Sequence, residues 1–233
     1  MALSGEVKTK IDGYQPSDQA KQLVSQTPIL LLAGPAGSGK SAVIKELLKN
    51  DSFTHIVSHT TRAPRGGEVD GQDYHFISES DLSQMLDEGK FIEVEAIYDE
   101  YASGTSVDEI QRIKDSGRTG MTAIEISGVK SYKELNPNTK TVFLLPPDYE
   151  SWVERLSQRG EGQDAIRKML TEAQGWIEEA IKSGYIKFIV NDDLTKAADE
   201  VTDYVLGKEG EDDDEAVEHA WSLLGELKRQ LNS

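Results

Sequence analysis

Gly34-Pro35-Ala36-Gly37-Ser38-Gly39-Lys40-Ser41 fits the pattern G-x-x-x-x-G-K-[ST], a glycine-rich turn that wraps its backbone around phosphate groups. Its flanks are the ones that pattern requires. Before it, Pro28-Ile-Leu-Leu-Leu-Ala33 is an apolar run of buried-strand length. After it, Ala42 opens a stretch in which Val43, Ile44, Leu47 and Leu48 recur at helical spacing. Glycines let successive N–H groups converge on phosphate oxygens, and the helix N-terminus adds partial positive charge. Lys40 is expected to reach the β- and γ-phosphates of a nucleotide and the Ser41 hydroxyl to ligate Mg²⁺. The competing reading, a chance match in a glycine-rich turn, does not account for flanks of this quality.

Outward from this motif the chain reads as strands alternating with helices. Strands are expected at 54–58, 74–77, 91–98, 121–126, 140–146 and 186–190. Helices are expected at about 17–26, 80–89, 108–116, 149–157, 165–183 and 194–206. That alternation predicts an α/β fold with a mostly parallel sheet covered by helices. Residues 1–27 read as an N-terminal extension carrying one helix. Residues 207–215 read as an acidic linker, and 216–231 as an amphipathic helix with apolar residues at 217, 220, 221, 224, 227 and 231. That helix either docks on its own core or serves self-association or a protein partner.

The 233 residues carry a net charge of −17, no cysteine and four histidines. The acidity disfavours nucleic-acid and anionic-membrane partners. It also demands a local basic cluster if the substrate is an anion. The absence of cysteine rules out disulfides and thiolate metal sites, no apolar run reaches the ~18 residues of a membrane span, and the first residues lack an apolar leader. Together these predict a cytoplasmic setting.

The expected basic cluster follows the second strand, in Ser58-His-Thr-Thr-Arg62-Ala-Pro-Arg65-Gly-Gly-Glu-Val-Asp-Gly-Gln-Asp-Tyr74. Two guanidinium forks and a phenol hydroxyl suit a second phosphate. With this loop, Phe91-Ile-Glu93, Gly104-Thr105, Pro146-Pro147, Arg159-Gly160 and Val190-Asn-Asp-Asp-Leu194, the chain resembles the guanylate kinase family over about residues 28–206. The resemblance implies a P-loop kinase core, an acceptor-binding subdomain over about 59–106 that swings shut, and a lid over about 157–168. It implies transfer of the γ-phosphoryl of ATP to GMP or dGMP, with Mg²⁺.

By the same resemblance Gly34 through Ser41, with Ala42 and Asn191, contact ATP, Asn191 near the adenine. Arg62, Arg65 and Tyr74 hold the acceptor phosphate. Ser58, Glu93 and Thr105 read the base, with Glu125 at the family's base-contacting aspartate. Arg155 and Arg159 neutralise the transferring phosphoryl alongside Lys40 and Arg62, and Arg167 is a third lid donor by position. A carboxylate accepts from guanine N1–H and N2, a pattern adenine does not offer.

Three departures stand out. Tyr101-Ala102-Ser103 replaces the family's tyrosine pair, so Tyr101 or Ser103 is the candidate substitute. Ala123-Ile124-Glu125 replaces Asp-x-Asp. Lys168-Met169 stands where an arginine pair is common. They leave open a kinase for deoxy or base-modified monophosphates and, less in keeping with an intact P-loop, a non-catalytic binding domain.

Overall fold

The computed structural model describes residues 2–97, 99–184, 186–208 and 213–232. In chain order the elements are α1 (Gly5–Asp12), α2 (Asp18–Ser25), β1 (Ile29–Ala33), α3 (Lys40–Leu47), β2 (Phe53–His55), β3 (His59–Thr60), β4 (His75–Phe76), α4 (Glu79–Asp87) and β5 (Phe91–Ile97). They continue with β6 (Tyr101–Ser106), α5 (Val107–Ser116), β7 (Thr119–Ala123), α6 (Ile126–Leu135), β8 (Lys140–Leu145), α7 (Tyr149–Gln158), α8 (Gln163–Ser183), β9 (Lys187–Val190), α9 (Leu194–Leu206) and α10 (Asp213–Leu231). Tyr98, at the end of one expected strand, and residues 209–212 of the expected linker lie outside the described residues.

Contacts divide the chain into two units. One comprises Met1–Ile29, Asp51–Thr122 and Lys130–Thr139, the other Leu30–Asn50, Ala123–Val129 and Lys140–Ser233. In the second, β1, β8 and β9 run parallel, with Leu30 opposite Lys140 and Val142 opposite Lys187. Leu30, Leu31, Leu32, Ala33 and Val142 through Leu145 have no exposed surface. This explains why these strands read as continuous apolar runs rather than alternating ones. Helix α3 packs on α9, and α10 on α8, β9 and α7.

Helix α10 therefore docks on its own unit. Ala220, Leu223, Leu224 and Leu227 are buried, whereas Trp221, counted in the apolar stripe from sequence, is 52% exposed. Polar contacts fix the register. His219 Nε2 lies 3.0 Å from the Pro146 carbonyl, Lys228 Nζ lies 2.7 Å from Glu178, and Arg167 donates to the Leu231 carbonyl at 2.9 Å. Arg167, expected as a lid donor, is the residue that makes this last contact, at the exposed end of the helix.

In the first unit β2 and β7 pair in parallel. A second sheet has the order β4-β3-β6-β5, antiparallel except for β3 with β4. Its core is Leu82, Leu86, Phe91 and Ala102 packed against Leu3, Val7 and Ile11 of the N-terminal segment. Residues read as an extension thus carry two helices, capped by Ser4 and Ser17, and the first of them fills a core. The i, i+4 spacing of Leu3, Val7 and Ile11 was the available signal.

Three further differences have physical causes. The strand expected at 54–58 ends at His55 as β2; residues 56–58 are irregular, the Val57 N–H going to the Glu109 carboxylate at 2.7 Å, and β3 begins only at His59. The strand expected to reach residue 126 stops at Ala123, and α6 follows, with Ile126, Val129 and Tyr132 buried along one side. Gly128 in its first turn weakens the helical signal. Strand β6, Tyr-Ala-Ser-Gly-Thr-Ser, has little intrinsic β preference and forms by pairing with β5 and β3.

The packing of α10 predicts that Leu224→Ala costs about 2–4 kcal/mol of stability and that Trp221→Ala stays within about 0.5 kcal/mol. Urea unfolding checks both. Equal effects would contradict the docked register.

Candidate active site

The loop between β1 and α3 takes a path only glycine permits. Gly34, Gly37 and Gly39 have φ of 139°, 82° and 95°. A Cβ on Gly34 would lie 2.4 Å from the Leu144 carbonyl, and one on Gly39 would overlap the Asn191 amide. Side chains from elsewhere in the same unit take up the loop's outward carbonyls. Trp152 Nε1 donates to Ala36 O at 2.6 Å and Asn191 Nδ2 to Ser38 O at 2.8 Å. Both side chains are buried. Asn191, expected near the adenine, also braces the loop from beneath. Trp152 carried no sequence signal beyond its place on an amphipathic helix.

Lys40 Nζ donates to Gly34 O at 2.5 Å and Pro35 O at 3.1 Å. Burial lowers its pKa to about 8, the nearby Glu125 carboxylate opposing that shift and Arg159 adding to it. Glu125 therefore acts on the loop lysine, within the same unit. Arg155 donates to the Asn191 carbonyl at 2.9 Å, and Arg159 caps α7 with an exposed side chain just before Gly160 at φ 82°. Ser41 and Ala42 are exposed at the first turn of α3. Among the described residues no three His, Cys, Asp or Glu side chains gather in a metal-holding group. One hydroxyl with a carboxylate near the lysine fits an ion carried in on phosphates, not a cage built wholly of protein.

The other unit holds the second cluster. Arg62 forms a two-pronged pair with Glu68, both bonds at 2.7 Å, and Glu68 also accepts from the Arg65 N–H at 2.7 Å. Hydrogen bonding from Arg62 holds the Glu68 carboxyl down at about 2, despite some burial. The Arg62 guanidinium lies 4.8 Å from the Tyr74 ring centroid, a cation–π contact that orients its fork. Arg65 is exposed. Glu68 lies in the quoted loop, but its geometry as a carboxylate seated where the guanidinium fork opens was not readable from sequence. Ser103 Oγ donates to the His59 carbonyl at 3.3 Å, so it is engaged by its own sheet, while Tyr101 on the same strand is half-buried.

Glu93 and Thr105 face each other across β5 and β6, and Thr105 Oγ1 is 3.5 Å from Ser58 Oγ. Glu93 keeps some exposed surface, yet its carboxyl lies among protein atoms. Burial raises its pKa to about 7; hydrogen bonds from the Thr105 hydroxyl and N–H oppose the rise, and the charge of Glu95 adds to it.

One unit thus presents a phosphate-wrapping loop with a lysine, the other an arginine fork beside a carboxylate and two hydroxyls. Residues 25–208 match the family described as Guanylate kinase. The chain belongs to the guanylate kinase family. It is 36% identical over 183 residues to the guanylate kinase of Corynebacterium glutamicum, covering 77% of this chain and 95% of that protein. It is 39% identical over 172 residues to that of Schizosaccharomyces pombe, with 72% and 85% covered. The crystal structure of guanylate kinase from Anaplasma phagocytophilum superposes with a TM-score of 0.60 at 23% identity, covering 80% of this chain and 88% of that one, a likeness of fold. The α/β architecture expected from sequence is thereby found, and the chain is a guanylate kinase-type enzyme.

For a guanylate kinase the Glu93 environment has a pH signature. A carboxyl held near 7 must lose its proton before it can accept from guanine N1–H and N2. GMP binding is therefore expected to strengthen as pH rises from 6 to about 7, approaching tenfold per unit at the acid end, and to level off above. Glu93→Gln should remove that component and leave only the titration of the GMP phosphate, whose second pKa is near 6. Identical pH profiles for the two proteins would exclude Glu93 from the base.

Proposed function

We propose that the chain transfers the γ-phosphoryl group of ATP to GMP or dGMP, giving ADP and the nucleoside diphosphate, with Mg²⁺ carried on the ATP phosphates. The observation that supports this best is the pairing of a braced P-loop lysine in one unit with the Arg62 and Glu93 cluster in the other. The acceptor is a phosphate oxygen already ionised near neutral pH, so no general base is needed. That oxygen bonds to the γ-phosphorus while the bond to the β–γ bridging oxygen breaks, and ADP leaves with the electron pair.

The protein's part is alignment and charge neutralisation. The Gly34–Ala42 backbone wraps the ATP phosphates, and Lys40 exchanges its two carbonyl partners for phosphate oxygens. Arg155 and Arg159 neutralise the γ-phosphoryl. Arg62, Arg65 and Tyr74, with Tyr101 beside them, hold the acceptor phosphate, which must displace Glu68 from the Arg62 fork. Ser58, Glu93 and Thr105 read the base. Ser41 would hold Mg²⁺, which would screen the charge on the phosphates. Glu125 serves in this reading by keeping Lys40 charged, and Ser103 by holding β6 to β3. The relatives favour neither a non-catalytic binding domain nor a kinase for modified bases. A cytoplasmic setting accompanies this reading, since both substrates are free nucleotides, and no helix among the described residues is long and apolar enough to cross a membrane.

Two variants test the assignment in a coupled ADP-release assay. Lys40→Ala should lower kcat by at least about a hundredfold. Arg62→Ala should raise the KM for GMP and lower kcat together, because its contact strengthens as charge develops. Unchanged turnover in Lys40→Ala, or unchanged GMP kinetics in Arg62→Ala, would remove that residue from the site.

A further inference from the structure

Glu109, in the first turn of α5, is buried, and a buried carboxylate is costly unless its oxygens are matched. Here both are, and the matching reaches out of its own helix. Oε1 accepts from the Val57 N–H at 2.7 Å and from Arg112 Nη2 at 2.6 Å, and Oε2 accepts from Arg112 Nε at 2.9 Å. The same Arg112 Nη2 donates to the His55 carbonyl at 2.6 Å. Ser106-Val-Asp-Glu109 is the Ser-x-x-Glu pattern in which the glutamate ordinarily folds back on its own helix cap. Ser106 Oγ does accept from the Glu109 N–H, at 3.2 Å, but the carboxylate crosses to another segment of the chain.

That segment carries Ser58. Residues 56–58 belong to no strand, so each backbone group there needs a partner of its own. The Ile56 N–H goes to the Met121 carbonyl at 2.8 Å, and the Ser58 carbonyl accepts from the His75 N–H at 2.9 Å. Between them the Val57 N–H depends on a side chain, Glu109. The Ser58 hydroxyl lies 3.5 Å from Thr105 Oγ1, too long for that contact to hold it in place. Its position therefore comes from the backbone. Thr105, by contrast, is fixed in the sheet opposite Glu93, and the next residue, Ser106, caps the turn that carries Glu109.

We propose that Glu109, anchored by Arg112, is a positioning residue for the acceptor base: it ties the residue before Ser58 to the turn after Thr105 and so fixes the spacing of the two hydroxyls. The proposal rests on the reading of Ser58 and Thr105 as base readers. The two-pronged grip of Arg112 aims the carboxylate at Val57. Loosening the tie lets Ser58 drift from the base. That loses binding common to ground state and transition state, which registers in KM rather than kcat.

The test is the KM for GMP, measured by ADP release at saturating ATP. Glu109→Gln keeps one acceptor but sets an amide N–H2 against the Arg112 donors. It should raise the KM for GMP about three- to tenfold, the worth of one neutral hydrogen bond, and leave kcat and the KM for ATP unchanged. Ser58→Ala should raise it by a similar factor, and the double variant should be no worse than Ser58→Ala alone, because Glu109 acts through that hydroxyl. Arg112→Lys, at an exposed position, should move the KM in the same direction and stands in for Glu109→Gln if that chain fails to fold. Val7→Ala, which loosens the core beneath the same unit's second sheet, is the control. It should lower the melting temperature and leave the KM for GMP unchanged.

A rise in Glu109→Gln that persists in full on top of Ser58→Ala, or that Val7→Ala reproduces, makes Glu109 a purely structural group and overturns the proposal. Should neither Glu109→Gln nor Arg112→Lys move the KM for GMP while Ser58→Ala raises it, the tie is overturned and the base reading stands. If Ser58→Ala itself has no effect, that reading of Ser58 fails and the proposal with it.

Discussion

A loop that turns its N–H groups inward to phosphate must turn its carbonyls outward, and buried carbonyls need donors. That constraint organises the phosphate-binding unit. Trp152 meets the Ala36 carbonyl and Asn191 the Ser38 carbonyl, from α7 and from the residue just after β9. Two long-range contacts thus fix the cradle before any nucleotide arrives, and each comes from an element whose own placement depends on the parallel β1, β8 and β9 sheet. The buried apolar strands therefore serve the site by placing two donors. The glycines answer the same demand, since the positions of Gly34 and Gly39 leave no room for a Cβ.

Charge is the second constraint. In a chain of net charge −17, cations that must bind phosphate are held near carboxylates: Lys40 near Glu125, Arg62 on Glu68. Glu125 favours the charged form of Lys40, while Glu68 orients the Arg62 fork and competes with the phosphate for it. Arg62 is further fixed by the Tyr74 ring, so exchanging Glu68 for a phosphate requires little reorientation of the guanidinium.

Much of this was legible in the sequence because it resides in local patterns. The P-loop, its flanking strand and helix, and α9 with its stated limits follow from spacing alone. The arginine–tyrosine loop follows from residue type. What the sequence hid are features created by pairing across the fold. Strand β6 exists because β5 and β3 accept it, α6 because Ile126, Val129 and Tyr132 find a core despite Gly128. The bracing of the loop by Asn191 was hidden because its amide donates to a carbonyl 153 residues earlier in the chain. Helix α10 was readable as amphipathic, but only its contacts separate Leu224, which is buried, from Trp221, which is not.

The central claim is that a P-loop phosphoryl donor site and a guanine-reading acceptor site coexist in this chain. Its most direct test is ADP release by the unaltered protein with ATP and Mg²⁺ across GMP, dGMP, AMP, CMP and UMP. The account predicts turnover with GMP and dGMP, and rates with the other three lower by at least about a hundredfold. No turnover with GMP, or comparable turnover with AMP, would contradict it.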